Sequence, residues 1–234
     1  MPIGVICDAL AVAAGGLIGA GAGRSMSEAL REKLNQVFGI CSVGIGISSV
    51  ILMKNMPAVV LALILGTILG SALGLERAFE RGGKRLAAFF PAAPGSENRG
   101  LMVTAAVLFC ASGTGIYGSI VSGMSGDHSI LAAKSILDLF TAMIFACTLG
   151  RAVSGIAAPQ LVLFLILFFG AKALFPLTTP EMIDDFRACG GLIMIATGLR
   201  IAKAGDYPIA DMIPAMVLVW PLSRMWSAWI LPIL

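Results

Sequence analysis

Charge is what this sequence has least of. Only 12% of its 234 residues are Asp, Glu, Lys or Arg, and it holds a single histidine. About a quarter of an ordinary soluble chain is charged, so this one could not clothe a water-facing surface. One histidine leaves acid–base chemistry almost without equipment, and no nucleophile elbow, phosphate loop, metal-ligand cluster or haem-spaced histidine pair accompanies it. Neither an enzyme nor a bound cofactor is expected. The cysteines Cys7, Cys41, Cys110, Cys147 and Cys189 stand far apart with no CxxC pair, which supports neither a zinc site nor a disulfide framework; they read as small packing residues. No basic stretch precedes the first apolar run, which is therefore read as a spanning helix and not as a cleavable signal.

What is present is oil. Hydrophobic residues make up 58% of the chain and the mean hydropathy is +0.96, with 28 glycines and 12 methionines. Membrane helices tolerate glycine and pack through it where backbones approach closely. The fold class that follows is all-α: a polytopic transmembrane bundle of about eight helices forming a single transmembrane domain over 1–234. Since a bilayer core takes about 20 apolar residues per helix, the spans are expected near 3–22, 35–53, 57–75, 100–122, 129–150, 159–175, 187–203 and 208–231. Most separators are short turns. Only the polar segment 76–99 is long enough to hold more, and it reads as a cytoplasmic loop.

The basic residues fix the orientation. With 76–99 in the cytoplasm, that side collects Arg24, Arg31, Lys33, Arg77, Arg81, Lys84, Arg85, Arg99, Arg151, Arg200 and Lys203, eleven of sixteen. Both termini then face the periplasm of a bacterial inner membrane, with Trp220, Trp226 and Trp229 near that interface. The net charge of +3 is spread over these connections, so nucleic acid is not an expected partner. A faint internal repeat accompanies the topology. Gly39 and Gly46 precede Met56-Pro57-Ala58-Val59, and Gly191 and Gly198, equally spaced, precede Ile213-Pro214-Ala215-Met216. The copies would run in opposite senses, as in the inverted repeats with broken helices of many secondary transporters.

Charged side chains within a span cost roughly 2.5–3.5 kcal/mol on insertion scales, so each needs a partner, water or a task. Lys134 and Asp138 are one helical turn apart and can meet on one face; they form either a binding pair beside a cavity or a structural pair. In Ser112-Gly113-Thr114-Gly115-Ile116-Tyr117-Gly118-Ser119 the glycine density suggests a broken helix whose freed backbone could bind an ion, or else a close-packing face. Asp8 in the first span and Asp211, between Pro208 and Pro214 at the start of the last, complete the candidate site. His128 reads as a solvated loop residue.

The stretches Phe109-Cys110-Ala111-Ser112-Gly113-Thr114-Gly115-Ile116, Gly123-Met124-Ser125-Gly126-Asp127 and Lys134-Ser135 with Asp138, followed by Phe140-Thr141-Ala142-Met143-Ile144-Phe145-Ala146-Cys147, are long and specific. Through them the chain resembles the YqgA/YdfK-like family of bacterial inner-membrane proteins, a domain of unknown function, with the YqgA branch nearest. The resemblance extends through Phe38-Gly39, Leu177-Thr178-Thr179-Pro180, Ala196-Thr197-Gly198-Leu199-Arg200 and Pro214-Ala215. It implies a membrane location and brings no settled activity. It also implies that Asp8 and Asp211 stand where asparagine is more typical, and His128 where proline occurs, which favours Lys134 and Asp138 as the shared pair.

Two functions are expected from different classes. One is a small secondary transporter or channel for a small polar solute or ion. The other is a non-transporting scaffold or sensor subunit assembling with another membrane protein. The faces Gly15/Gly19/Gly23 and Gly66/Gly70/Gly74 suit helix packing or a homodimer.

Overall fold

A computed structural model describes residues 1–22, 27–88, 101–102, 105–106, 108–110 and 112–233. Among these residues the regular structure is helical throughout, without strands. The helices are α1 (Ile3–Ala22), α2 (Glu28–Val50), α3 (Met56–Leu73), α4 (Leu75–Ala88), α5 (Gly113–Ser125), α6 (Ser129–Leu149), α7 (Ala152–Gly155), α8 (Ala157–Leu174), α9 (Pro180–Ile201), α10 (Ile209–Met212) and α11 (Ala215–Met225). Among the described residues, five stretches are long and apolar enough to cross a bilayer: Ile3–Gly21, Met56–Leu73, Ser129–Leu149, Ala152–Ala173 and Ile209–Ile233. Their outward faces are greasy, with Leu10, Leu17 and Ile18 on α1, Ile64 and Ile68 on α3, and Val162 and Ile166 on α8 all exposed. Such a surface suits lipid and not water.

Several boundaries differ from those the sequence suggests, each for a local reason. The segment expected to be a polar connection from 76 to 99 is helical in its first half. α4 places Glu76 in its first turn and Arg85 in its last, which suits the helix dipole at both ends; residues 89–99, Arg24 and Gly23 lie outside the described residues. α9 starts at Pro180, seven residues before the apolar run, because Thr179 caps it by accepting from the Met182 amide and proline suits the first position. The last span is interrupted, as its prolines suggest. The interruption is a kink: between Met212, where α10 ends, and Ala215, where α11 starts, Ile213 and Pro214 keep right-handed helical dihedrals while the hydrogen-bond ladder is disturbed. The fourth span is interrupted too: residues 108–110 are helical, Ser112 is extended at φ −70° and ψ 135°, and α5 starts at Gly113.

The chain divides into two compact units, where the sequence suggests one domain. The first comprises Met1–Gln36 and Ala78–Ala173; the second comprises Val37–Arg77 and Leu174–Leu234. In the first unit α1 lies along α6. A Cβ at Gly15 would fall 2.2 Å from the Leu139 carbonyl oxygen, and one at Gly19 would fall 2.3 Å from that of Met143. Both contacts keep the same sequence offset, so the helices run parallel, as first and fifth spans should. Val12, Phe109, Ala142, Ala146, Val153 and Ile156 fill the core beside this seam.

The second unit contains both copies of the suggested repeat, and their glycines meet. A Cβ at Gly39 would lie 2.6 Å from the Gly198 carbonyl oxygen and one at Gly198 2.5 Å from that of Gly39; the corresponding values for Gly46 and Gly191 are 2.6 and 2.7 Å. α2 and α9 therefore cross antiparallel with their backbones in contact. Gly66 and Gly70 of α3 are filled the same way, by Ala215 and by the Asp211 backbone. The small-residue faces at Gly15/Gly19 and Gly66/Gly70 are thus occupied by helices of this chain.

Two glycines of α2 separate packing from propensity. A Cβ at Gly44 meets nothing within 4 Å, whereas one at Gly46 lands on a backbone oxygen. Gly44→Ala is expected to leave the unfolding temperature in mild detergent unchanged or slightly raised, within about 1 kcal/mol. Gly46→Ala is expected to cost about 1–3 kcal/mol, as overpacking does. Equal melting temperatures for the two variants would show that the seam does not depend on this contact.

Candidate functional site

The first unit holds a charged cluster built by three helices. Lys134 and Asp138 sit one turn apart on α6, and the ammonium and carboxylate are joined by a hydrogen bond and ion pair. The parallel seam brings α1 close enough for Asp8 to join them, its Oδ2 3.5 Å from Lys134 Nζ. From α8, Gln160 Nε2 donates to Asp8 Oδ2 at 2.8 Å and to Asp138 Oδ2 at 3.2 Å. The Phe164 ring, one turn further along α8, lies under the lysine with Nζ 5.7 Å from its centroid. Asp8 and Gln160 are fully buried, and Lys134 is 3% exposed.

The glycine-rich stretch makes room for this lysine. A Cβ at Gly115 would fall 2.2 Å from Phe164 Cζ and 2.9 Å from Lys134 Cε. Gly118 serves Leu131 and Ile130 in the same manner, and Gly123 accommodates the Phe168 backbone. The polar groups of the interruption are satisfied locally: Ser112 Oγ accepts from the Gly115 amide, the Ser112 carbonyl from Ile116, and the Gly115 carbonyl from the Ser119 hydroxyl. Of the candidates Ser112, Gly113, Thr114 and Gly115, it is Gly115 that lies against Lys134 and Phe164. Thr114 is buried on α5, and Gly113 opens that helix. His128, read as solvated, is half-buried ahead of α6 and its Nδ1 hydrogen-bonds the Ser122 hydroxyl.

The donor count in the cluster does not close. Asp8 Oδ1 and Gln160 Oε1 are buried and have no hydrogen-bond partner among the described residues. Both are acceptors, and turning the Gln160 amide over would only aim its oxygen at two carboxylates. Two carboxylates against one ammonium also leave the ionised cluster one negative charge in excess.

The second unit holds a carboxylate of the opposite kind. Asp185, fully buried on α9, accepts from the Lys54 and Asn55 amides, both at 2.8 Å on Oδ1. Its Oδ2 accepts from Asn55 Nδ2 at 2.8 Å and from the Ser223 hydroxyl at 2.6 Å. Four donors saturate it, and it ties the α2–α3 turn to α9 and α11. Asp211 is also in this unit and accepts the Glu76 amide at 3.1 Å, and Glu76 pairs in turn with Arg200 at 3.4 Å. Sequence reasoning missed Gln160 and Asp185. The available signals were an amide side chain inside an apolar span after Pro159, and the Thr179-Pro180 helix start that moves Asp185 from a loop into a helix.

Apolar outer faces, helices of membrane length and a buried ionic cluster define a multi-pass membrane protein. The chain belongs to the family described as "Protein of unknown function (DUF554)", whose model matches residues 3–224. It is 46% identical over 233 residues to "Uncharacterized protein YqgA" of Escherichia coli (strain K12), covering 98% of this chain and 99% of that one. It is 25% identical over 219 residues to "Uncharacterized membrane protein YdfK" of Bacillus subtilis (strain 168), covering 92% of this chain and 93% of that one. No solved structure matches the chain.

The two saturated and sparsely bonded acids of the second unit are expected to respond differently to mutation. Asp185→Ala strands four donors and should cost about 3 kcal/mol or more. Asp211→Asn weakens one amide contact and should cost about 1 kcal/mol or less. Melting curves of the full chain in mild detergent read both. Equal losses would show that the Asp185 bracket does not hold this unit together.

Proposed function

We propose that the chain is a small secondary transporter or channel that moves a small polar solute or ion across the bacterial inner membrane. The carrying observation is the ionic cluster within spans α1, α6 and α8, with acceptors at Asp8 and Gln160 that the protein leaves unmatched. Buried polar groups are expensive in hydrocarbon, and those without partners there mark solute and ion pathways by default. The interruption at Ser112, just ahead of the Gly115 that lies against this cluster, and the proline kink of the last span are compatible with a pathway. The reciprocal contacts of Gly39 with Gly198 and Gly46 with Gly191 favour an inverted repeat formed by the second and third spans and the last two. The basic bias of the cytoplasmic connections supports periplasmic termini.

A scaffold or sensor subunit assembling with another membrane protein is the competing reading. It calls for a dry interior, which the burial of Asp8, Lys134, Asp138 and Gln160 fits, and for buried polar groups that are fully satisfied by protein. The Asp185 bracket fits the second requirement, and Asp8 with Gln160 does not.

The transport reading is tested in proteoliposomes on a solid-supported membrane, challenged in turn with amino acids, small organic acids and alkali cations. At least one challenge should drive charge movement in the wild type. Asp138→Asn and Lys134→Ala should reduce it by roughly tenfold or more, while Asp138→Asn, nearly isosteric, keeps the monodisperse fold. A wild type silent to every challenge, or variants as active as the wild type, would overturn the transport reading.

A further inference from the structure

We infer that Asp8 and Gln160 form the binding site for one exchangeable monovalent positive charge, a proton or an alkali-metal ion, held beside the Lys134–Asp138 pair. This deepens the transport reading, since it names what the cluster would couple to, and it rests on that reading only for its physiological use.

The lysine is already committed to both carboxylates, and Gln160 Nε2 is shared between them. What remains open is acceptors only: Asp8 Oδ1 and Gln160 Oε1, on side chains that are both wholly shielded from solvent. Both orphaned oxygens belong to one hydrogen-bonded pair of side chains, joined through Gln160 Nε2 and Asp8 Oδ2 at 2.8 Å. A further donor from the protein would have closed this gap, and none is present among the described residues. A unit positive charge meets both deficits together, since it balances the excess carboxylate and gives the orphaned oxygens something to bind.

The site's neighbours suit a monovalent occupant. The titratable groups facing Asp8 are Lys134 and Asp138 from α6. α5 contributes Gly115, and α8 contributes Gln160 and Phe164, neither of them ionisable. A divalent ion would overcompensate a single excess charge with an ammonium alongside. A proton needs no more than the two open oxygen acceptors, and an alkali-metal ion would draw further oxygens from the Asp138 carboxylate or from water.

Asp185 provides the internal comparison. It is an equally buried carboxylate with four donors, and nothing is left over for a ligand to satisfy. The chain thus saturates one buried acid and leaves the other open.

The experiment measures equilibrium binding, not flux, on the full chain purified in mild detergent. Thermal unfolding is followed from mildly acidic to mildly alkaline pH in choline chloride, and at the alkaline end with NaCl, KCl or LiCl replacing choline. Whatever binds only the folded state raises its melting temperature by mass action. A proton occupant makes the melting temperature fall by several degrees as pH rises, and alkali ions add nothing. A metal-ion occupant makes it rise saturably with one of the three cations. Either result supports the site, provided that Asp8→Asn, which retains an oxygen at that position but no charge, abolishes the dependence. A melting temperature indifferent to pH and to all three cations, or a dependence unchanged in Asp8→Asn, overturns it. Should Asp8→Asn not fold, infrared difference spectra of the wild type and of Gln160→Leu decide. A carboxyl or carboxylate band that responds to pH or to the cation in the wild type and is lost in Gln160→Leu supports the site, and identical difference spectra of the two overturn it. Cation binding without flux in any assay would remove the transport reading and leave this site standing, whereas flux without binding would remove the site alone.

Discussion

The first unit depends on holding one ammonium between two carboxylates in a region from which water is excluded. Lys134 could not be buried alone, because an unpaired ion in low dielectric costs several kcal/mol. Its own helix supplies one counter-charge at Asp138, one turn away, and a helix distant in sequence supplies the other at Asp8. Each part of the packing around it serves that meeting. Gly15 and Gly19 let α1 lie against the backbone of α6 so that Asp8 reaches the lysine. Gly115 removes the side chain that would collide with both Lys134 and Phe164. Gln160 bridges the two acids from a third helix. The glycine content of the sequence is, in this unit, the geometric condition for burying charge.

The second unit solves a similar problem with neutral donors. Asp185 receives two backbone amides from the tight Lys54–Asn55 turn, the Asn55 side chain and a serine from the last span. Amides at a turn are rigid and already desolvated, so a carboxylate placed before them gains bonds without ordering flexible chains. The result is a clamp between helices that has no capacity left. Where α2 and α9 meet, contact runs backbone to backbone through Gly39, Gly46, Gly191 and Gly198, close packing of the kind membrane interiors depend on when no hydrophobic drive separates helix from lipid.

Much of this was legible in the residues, and what was hidden follows a pattern. The spans are visible because apolar length is a one-dimensional property. Lys134 and Asp138 are visible as a pair because helical periodicity brings i and i+4 together whatever the tertiary fold. Asp8 is visible as an anomaly within a span, but not as the lysine's second partner, since that depends on which helices touch. Gln160 escaped notice because an uncharged amide carries little penalty in a hydropathy profile, although its two-sided chemistry makes it the bridge. Asp185 escaped because its helix starts before its apolar stretch does, and the cap at Thr179 with Pro180 was the better boundary marker. The interruption at Ser112 was expected from glycine, and the expected unwinding near Asp211 is a milder kink at Ile213 and Pro214, which keep helical dihedrals.

The two buried acids also show how a site is told from a strut when only static geometry is in hand. Burial does not separate them, since Asp8 and Asp185 are alike in having no exposed surface. The difference lies in whether the protein has used up every lone pair it carried out of water. Asp185 has four donors for its two oxygens, so removing water from it left nothing unmet. Asp8 and its neighbour Gln160 surrendered their hydration and received fewer donors than they have acceptors. In a helical bundle the missing interaction could have been supplied by one more serine or amide on a neighbouring turn, a substitution that costs a membrane helix little. A deficit of positive charge and of donors at one point, beside a lysine that cannot serve two carboxylates fully, therefore argues for something that comes and goes.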